Sequence, residues 1–509
     1  MSFDTEGQSV HLRSEEVPGL SSQGSRKWIG AAGAVVMVVA LVFGGMTALK
    51  MLGGGGAQPE DVFPNSAIVF AKLDLNPSAG QKLAAYRLAS SFPKLKDKVS
   101  SKETSVKESI FSSVLAGNRS WGLDYKKDVE PWLGDRIGVG VFPAGGADSK
   151  PEIALAIAFT DQSAAKAALD KAIANATTQV EMVGYAFADG YVVLSDTTAH
   201  ATALVQAGKV SPLGLPAWST YSDDVKSLGS DQIGVAWVDL AAAYKAIPKD
   251  QLKNGPLGGL QGTTDPKNAT GRFVSGLHVD PSYLELTGRS IELKGAGPLT
   301  STGGVNQTKL MSSLPSDVLG AATATGFGKA AAALYAGLIA GSDTTGLKPM
   351  MQRLGLGSAT DLETLMGTET GIAVGGTSDQ PQFAVRTRSA DSAASLALAI
   401  KVFAAAPVPG LTVRKLTDPE GILVGTGSDL TAAMSDPSGG RLGADAAFRQ
   451  VTPDLGQANF AVYVNLSKVL TLVAKDNPKE AASLAPFNAL GLTVAGGPEP
   501  SYRLRISVR

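Results

Sequence analysis

The chain has 509 residues, with 45 Lys plus Arg against 46 Asp plus Glu, and only 18% of its residues are charged. A net charge of −1 excludes an overall basic footprint for nucleic acid. The absence of cysteine excludes disulfides, thiol nucleophiles, thiolate metal sites and lipid-modified cysteine.

In chain order, residues 1–27 are polar with scarcely any apolar periodicity and read as a disordered cytoplasmic tail. Trp28 to Leu49, WIGAAGAVVMVVALVFGGMTAL, carries no charge over 22 residues. At about 1.5 Å per residue it reaches roughly 33 Å, enough for a hydrocarbon core of about 30 Å. The long polar stretch before it and the absence of a small-x-small exit argue for an uncleaved transmembrane helix rather than a signal peptide. Arg13, Arg26 and Lys27 precede it and Lys50 follows it closely, a bias that places the N-terminus in the cytoplasm and the remainder outside. Residues 50–62 read as a Gly-rich linker, flexible from Gly53 to Gln58.

The remainder repeats itself. PEIALAIAFTDQSAA from Pro151 aligns with PQFAVRTRSADSAAS from Pro381, pairing Ala154 with Ala384 and Asp161 with Asp391. Gly190 falls opposite Gly421, Asp239 opposite Asn465, and Pro281-Ser282-Tyr283 opposite Pro500-Ser501-Tyr502. FPNSAIVFAKLDL from Phe63 answers LPSDVLGAATATG from Leu314. The offset drifts in small steps while the order holds, as loop insertions and deletions produce. Two α+β repeats are therefore expected, 63–297 and 307–509, with a seam at 298–306. Whether they form separate domains or one continuous sheet stays open.

Residues 67–73, 136–142, 152–159, 180–187, 191–195, 232–238, 273–279 and 283–292 are short apolar or β-branched runs bounded by turn residues, and predict strands. Asp161 and Asp391 each stand between a strand and an Ala-rich run, where a carboxylate accepts the free N–H groups of a helix start. Gly190 predicts an Asp-Gly hairpin turn, and Gly421 is assigned the equivalent place. The fold class is α+β: a transmembrane helix, then a duplicated ectodomain of largely antiparallel sheets with helices on one face.

The single N-terminal span, LDLNPS (Leu73 to Ser78), WLGDRIGVGV (Trp132 to Val141) and ADGYVVLS (Ala188 to Ser195) together resemble membrane-anchored bacterial proteins of the family called domain of unknown function thirty-three fifty-two. The resemblance implies an envelope protein facing outwards and transfers no catalytic residue. In the second half LMGTE (Leu365 to Glu369) replaces WLGDR, which puts a fixed role for Asp135 or Arg136 in doubt.

Chemistry-bearing motifs are sparse. Of three histidines, His11 lies in the tail, while His200 on a predicted helix and His278 on a predicted strand read as polar surface residues. Asp74, Asn76 and Ser78 imitate the start of a calcium loop, but Ala79 and Ala85 stand where its glycine and glutamate belong, so a turn and helix cap are expected. The S-x-x-K strings at Ser91–Lys94 and Ser163–Lys166 lack the companions such nucleophiles need. Asp223-Asp224 suit a solvated helix start, and Trp121, Trp132, Trp218 and Trp237 suit core packing. Arg87, Lys94, Lys96, Lys98, Lys102 and Lys107 make a locally basic stretch that reads as a solvated helical face, with contact to anionic lipid or envelope polymers as its functional alternative.

No catalytic, cofactor-binding or metal-ligating residue is assigned, and no cofactor motif is present. The expected partners are the bilayer, through residues 28–49, and an envelope protein or polymer, not nucleic acid. The expected function is a membrane-anchored extracytoplasmic module for binding or envelope organisation. The alternatives are an extracytoplasmic hydrolase using Asp or Glu, and a solute-binding or sensory domain.

Overall fold

The computed structural model describes residues 56–75, 78–92, 122–143, 151–175, 184–210, 212–229, 232–246, 270–294, 308–340, 347–405, 408–417, 420–436, 440–497 and 499–509. The expected tail, the expected transmembrane run 28–49 and the expected seam 298–306 lie outside them. Among the described residues no helix is long and apolar enough to cross a membrane.

The strands are β1 (Val69–Asp74), β2 (Leu133–Phe142), β3 (Glu152–Phe159), β4 (Gly184–Ala188), β5 (Tyr191–Ser195), β6 (Gly234–Asp239), β7 (Thr270–Asp280) and β8 (Tyr283–Lys294). They continue with β9 (Gly320–Thr325), β10 (Glu369–Gly376), β11 (Pro381–Arg388), β12 (Leu411–Thr417), β13 (Glu420–Thr426), β14 (Phe460–Val464), β15 (Phe487–Ala495) and β16 (Ser501–Val508). All sixteen belong to one antiparallel sheet, in the order β12-β13-β11-β10-β9-β14-β15-β16-β8-β7-β6-β1-β2-β3-β5-β4. Outward from its centre, the β8 side and the β16 side follow the same order, strand for strand. The question left open by sequence is answered: the two halves share one continuous sheet.

Equivalent positions do equivalent work. Asp161 Oδ1 accepts the Ala164 N–H at 2.9 Å and Asp391 Oδ1 accepts that of Ala394 at 2.9 Å, each capping the helix that follows (Gln162–Asn175 and Ser392–Ala405). Asp239 and Asn465 cap the helices after β6 and β14 in the same way, at 2.9 and 3.0 Å. Asp189 and Gly190 have φ of +48° and +83°, the left-handed pair that a two-residue hairpin turn requires. Gly421 does not share this role. It lies within β13, opposite Leu416, and a Cβ there would stand 1.8 Å from the Thr387 carbonyl oxygen. Its glycine is demanded by close approach of β11, not by a turn.

Helices lie on both faces of the sheet, contrary to the single covered face expected from sequence. The physical reason is visible in β5, whose five residues are all buried: Tyr191 and Val193 join one core and Val192 and Leu194 the other. The first face of the first half is covered by the Pro59–Val62 turn and the helices Thr198–Lys209 and Ser219–Lys226. Its second face is covered by the helices Ala79–Ser90 and Gln162–Asn175. Alternating burial on both faces makes the first half three layers thick.

At the centre β16 pairs with β8 over seven residue pairs, from Ser501↔Arg289 to Ser507↔Tyr283. Both tyrosines of the repeated Pro-Ser-Tyr string reach across this join. Tyr502 stacks on Phe273 with ring centroids 5.8 Å apart, and its hydroxyl lies 3.0 Å from Ser275 Oγ. Tyr283 lies under the Arg505 guanidinium, 4.1 Å from the ring centroid, while Arg505 Nε donates to Glu285. Gly288 faces Tyr502 because a Cβ would stand 2.5 Å from the ring.

Tyr502→Ala should therefore lower unfolding stability by about 2–4 kcal/mol, and Tyr502→Phe by only about 1 kcal/mol. Urea unfolding of the two variants beside wild type checks both values.

Candidate functional site: the docked lead-in segment

The chain enters the fold through residues 56–63. The Gln58 N–H donates to Asp61 Oδ2 at 2.6 Å, and Pro59 opens a single 3-10 turn, Pro59–Val62. Val62 and Phe63 are fully buried, so the last part of the expected linker, Pro59–Val62, is packed against the sheet rather than free. Two glycines of β2 make this seating possible. A Cβ on Gly138 would stand 2.4 Å from Pro59 Cβ, and one on Gly140 would stand 2.6 Å from the Phe142 ring that packs against Phe63. The alternation in GVGV is thus a strand with one face cleared for another segment of chain.

Charged groups then hold the segment. Lys72 Nζ donates to Glu60 Oε1 at 2.5 Å and to Gln58 Oε1 at 3.3 Å. Arg136 Nε donates to Asp74 Oδ2 at 2.9 Å, its cross-strand partner, and Arg136 Nη1 donates to the Ala57 carbonyl at 3.3 Å. Tyr191 Oη donates to the same carbonyl at 2.8 Å. Arg136 and Tyr191, from the strings WLGDRIGVGV and ADGYVVLS, meet at one backbone oxygen, and Asp74, from LDLNPS, holds the guanidinium from its other side. Burial works against the charge on Arg136, but Asp74 and Tyr191 outweigh it and raise the guanidinium pKa. Burial pushes the Tyr191 phenol well up; Arg136 opposes this and Glu60, Asp61 and Asp74 add to it. Tyr221, 2% exposed and edge-on to Phe70, is raised mainly by burial and further by Glu60 and Asp61.

The second half builds the same seat with different chemistry. There Thr325 pairs with Glu369 where Asp74 pairs with Arg136, and Thr323 stands where Lys72 does. Glu369 turns to the next strand instead and accepts from Arg388 Nη1 at 2.7 Å. Leu310, in the helix Thr308–Ser313, occupies the place of Pro59, 3.5 Å from where a Cβ on Gly371 would lie. LMGTE is therefore the point where the charged clamp is lost.

The other sequence candidates do not join this site. Asp135 sits where the β2–β3 register shifts, and its carbonyl accepts from the Leu75 N–H. Asp223 is exposed and paired with Lys226, as a solvated helix residue should be. Asp224 is a correction: only 4% exposed, it accepts from Trp237 Nε1 at 2.8 Å and Arg272 Nε at 2.7 Å, because the helix turns it inward onto β6 and β7. His200 is a surface residue whose pKa is raised by its 2.6 Å contact with Asp196. His278 is half-buried beside Gln81 rather than on the surface. Ser78 Oγ accepts the Gln81 N–H at 3.4 Å, the cap expected after Asp74. Lys166 pairs with Asp170, four residues along its helix, rather than with Ser163. Trp132 and Trp237 are core residues and Trp218 packs edge-on against Trp237. Lys94, Lys96, Lys98, Lys102, Lys107 and Trp121 lie outside the described residues. Among the described residues no three His, Asp or Glu are grouped to hold a metal ion.

Residues 29–399 match the family described as Protein of unknown function (DUF3352). The chain belongs to the DUF3352 family. The DUF3352 match begins inside the apolar run, takes in the lead-in segment and β1–β11, and ends within the helix Ser392–Ala405. Comparisons with curated proteins and with solved structures give no match. Sequence reasoning read Asp74 as part of a turn before a helix cap and Arg136 as a motif member, and missed the clamp. Its readable signal was the pair of alternate glycines, Gly138 and Gly140, in β2.

Gly138→Ala in this DUF3352 chain should cost about 1–3 kcal/mol by forcing Pro59 off the strand, and Gly371→Ala less than about 1 kcal/mol. Chemical unfolding of the pair measures the difference. The raised phenols set a second expectation. A buried Tyr favours its neutral form in the fold, so its stabilisation is fully present below the ordinary pKa of about 10 and is lost as pH rises through the higher folded value. Stability should hold up to about pH 10 and fall above it, with less fall in Tyr191→Phe; unfolding midpoints against pH test this.

Proposed function

We propose that this chain is a single-pass membrane-anchored extracytoplasmic protein, N-terminus in the cytoplasm, whose sheet serves as a binding or envelope-organising module. The observation that carries the reading is the docked lead-in segment. Only six residues, 50–55, separate the apolar run from Gly56, and fully extended they span at most about 20 Å. The clamp on Ala57 fixes the start of the fold to the sheet, so an anchor at 28–49 would hold the sheet close to the membrane surface.

Two further facts support it. The DUF3352 match begins at residue 29, so the apolar run is part of what the family shares. The lead-in is secured by an interlocked set of partly buried charges, Lys72–Glu60 and Arg136–Asp74, which a merely flexible tether would not need. Breaking one member of such a set leaves the others uncompensated.

The test uses intact cells making the full-length protein. Protease added outside should remove the mass C-terminal to residue 49, and carbonate washing should leave the untreated protein in the membrane fraction. Protection of the C-terminal part from external protease, or its release by carbonate, would overturn the reading. Arg136→Met should unfold the junction by about 2–4 kcal/mol and open residues 56–63 to limited proteolysis before the rest of the sheet.

A further inference from the structure

Three polar atoms of the second half lie side by side with no hydrogen-bond partner in the protein. They are the Thr323 and Thr325 hydroxyls and Glu369 Oε2, on residues only 1%, 5% and 4% exposed. The register makes them neighbours. Thr325 lies directly opposite Glu369 across β9 and β10. Thr323, two residues along β9, shares the same face and lies opposite Gly371. Leu310 and Leu314, both buried, pack against Gly371 and roof that face.

The first half shows what these positions can hold. There Lys72, Asp74 and Arg136 occupy them, and the lead-in segment supplies the partners. Lys72 donates to Glu60 and Gln58, and Arg136 donates to Asp74 and the Ala57 carbonyl. The second half keeps the positions polar but fills two of them with short threonines. Arg388 Nη1 takes Glu369 Oε1 at 2.7 Å and leaves Oε2 unmet. A buried polar group without a partner loses its hydration and gains nothing, so three together point to a bound molecule.

The chemistry of that molecule follows by elimination. Glu369 Oε2 only accepts, so the ligand donates; a threonine hydroxyl does either. An anion is repelled by the carboxylate. A cation finds one carboxylate, already matched by Arg388, and no group of three His, Asp or Glu among the described residues. Burial of all three residues and of the leucines above them excludes a larger organic molecule. The ligand is therefore small, neutral, and both donor and acceptor. Facing Cβ atoms on paired strands lie about 5 Å apart, and same-face neighbours along one strand about 7 Å. One water, with two bonds of about 2.8 Å, spans the first gap.

We propose that this seat binds internal water, one molecule linking Glu369 Oε2 to the Thr325 hydroxyl and a second continuing to Thr323. Water there does for the second half what the lead-in segment does for the first. The site belongs to the sheet itself and stands independently of the anchored reading.

The experiment uses the full-length protein, perdeuterated except for isotope-labelled threonine methyl groups. Nuclear Overhauser spectra then record transfer from water to each methyl. Cross-peaks at both Thr323 and Thr325 support the site. Thr452 is equally buried but bonded to the Phe448 carbonyl at 2.8 Å, and should give none. That control separates bound water from relay through a threonine's own hydroxyl. Thr325→Val keeps the shape and removes the hydroxyl. It should lower the folded-to-unfolded ratio about fivefold in urea unfolding, because the water loses a partner, and weaken the Thr323 cross-peak. Absence of either wild-type cross-peak overturns the proposal. So does a Thr325→Val protein as stable as wild type or more so, the outcome for a hydroxyl buried with no partner. A thermal midpoint that falls on dialysis against a chelator and returns with calcium or magnesium overturns it in favour of a metal. Should the variant fail to fold, the wild-type spectra decide.

Discussion

The pairing of β16 with β8 is the constraint on which the molecule depends. Each half presents a final strand with a free edge, and an exposed edge of that length is a liability in isolation. Joining the two edges satisfies both sets of backbone groups at once and converts two eight-stranded units into one sheet. Side chains secure the same line: Arg505 on Glu285, and Tyr502 against Phe273 and Ser275. Because each contact joins residues from opposite halves, neither half keeps its native surroundings alone. Among the described residues the outer edges are then the ones left unpaired, and β12 carries Arg414 and Lys415, charges that discourage further strand addition.

Once the sheet is continuous, its two faces need not be treated alike in the two halves, and they are not. The first half is covered twice, with separate apolar clusters above and below it. In the second half, the main cluster gathers on one face while the clusters of the other lie toward β12 and β13. The direction taken by a single helix after β1 or β9 decides this. Ala79–Ser90 carries Leu88, almost wholly buried, onto the strands near the join, and Phe92 just beyond it meets Phe487 of the other half. Phe327–Ala340 spends its apolar residues on a neighbouring helix instead.

Much of this was legible in the sequence, because strand period, turn residues and caps act locally. Asp161 and Asp391 cap helices for reasons contained in three or four neighbouring residues. Gly190 sits in its turn for the same kind of reason. What stayed hidden depended on which element meets which. Gly421 and Gly190 look alike in an alignment, yet one answers to a turn and the other to the Thr387 carbonyl of the adjacent strand. Asp224 reads as a solvated residue until Arg272, 48 residues away, arrives from β7. Covered faces were misjudged because a two-residue period marks alternation without saying whether both sides are packed. The lead-in site was hidden for a related reason: its central acceptor is the backbone carbonyl of Ala57, which no side-chain motif announces.

The divergence between the two halves follows from that carbonyl. Both halves seat a preceding segment beside their second strand, the Pro59–Val62 turn in the first and the helix Thr308–Ser313 in the second, but the clamp of cation on carbonyl is built in the first. In that half, a cation at Arg136 gains from reaching a backbone oxygen, and glycine at 138 gains by admitting Pro59. In the other half, the same cation would lie among the buried hydroxyls of Thr323 and Thr325 without that carbonyl to meet, at the cost of an uncompensated buried charge. Glu369 removes the mismatch by pairing sideways with Arg388. The two halves thus share one seat geometry but secure it differently, by a charged clamp in the first and by apolar packing of Leu310 in the second.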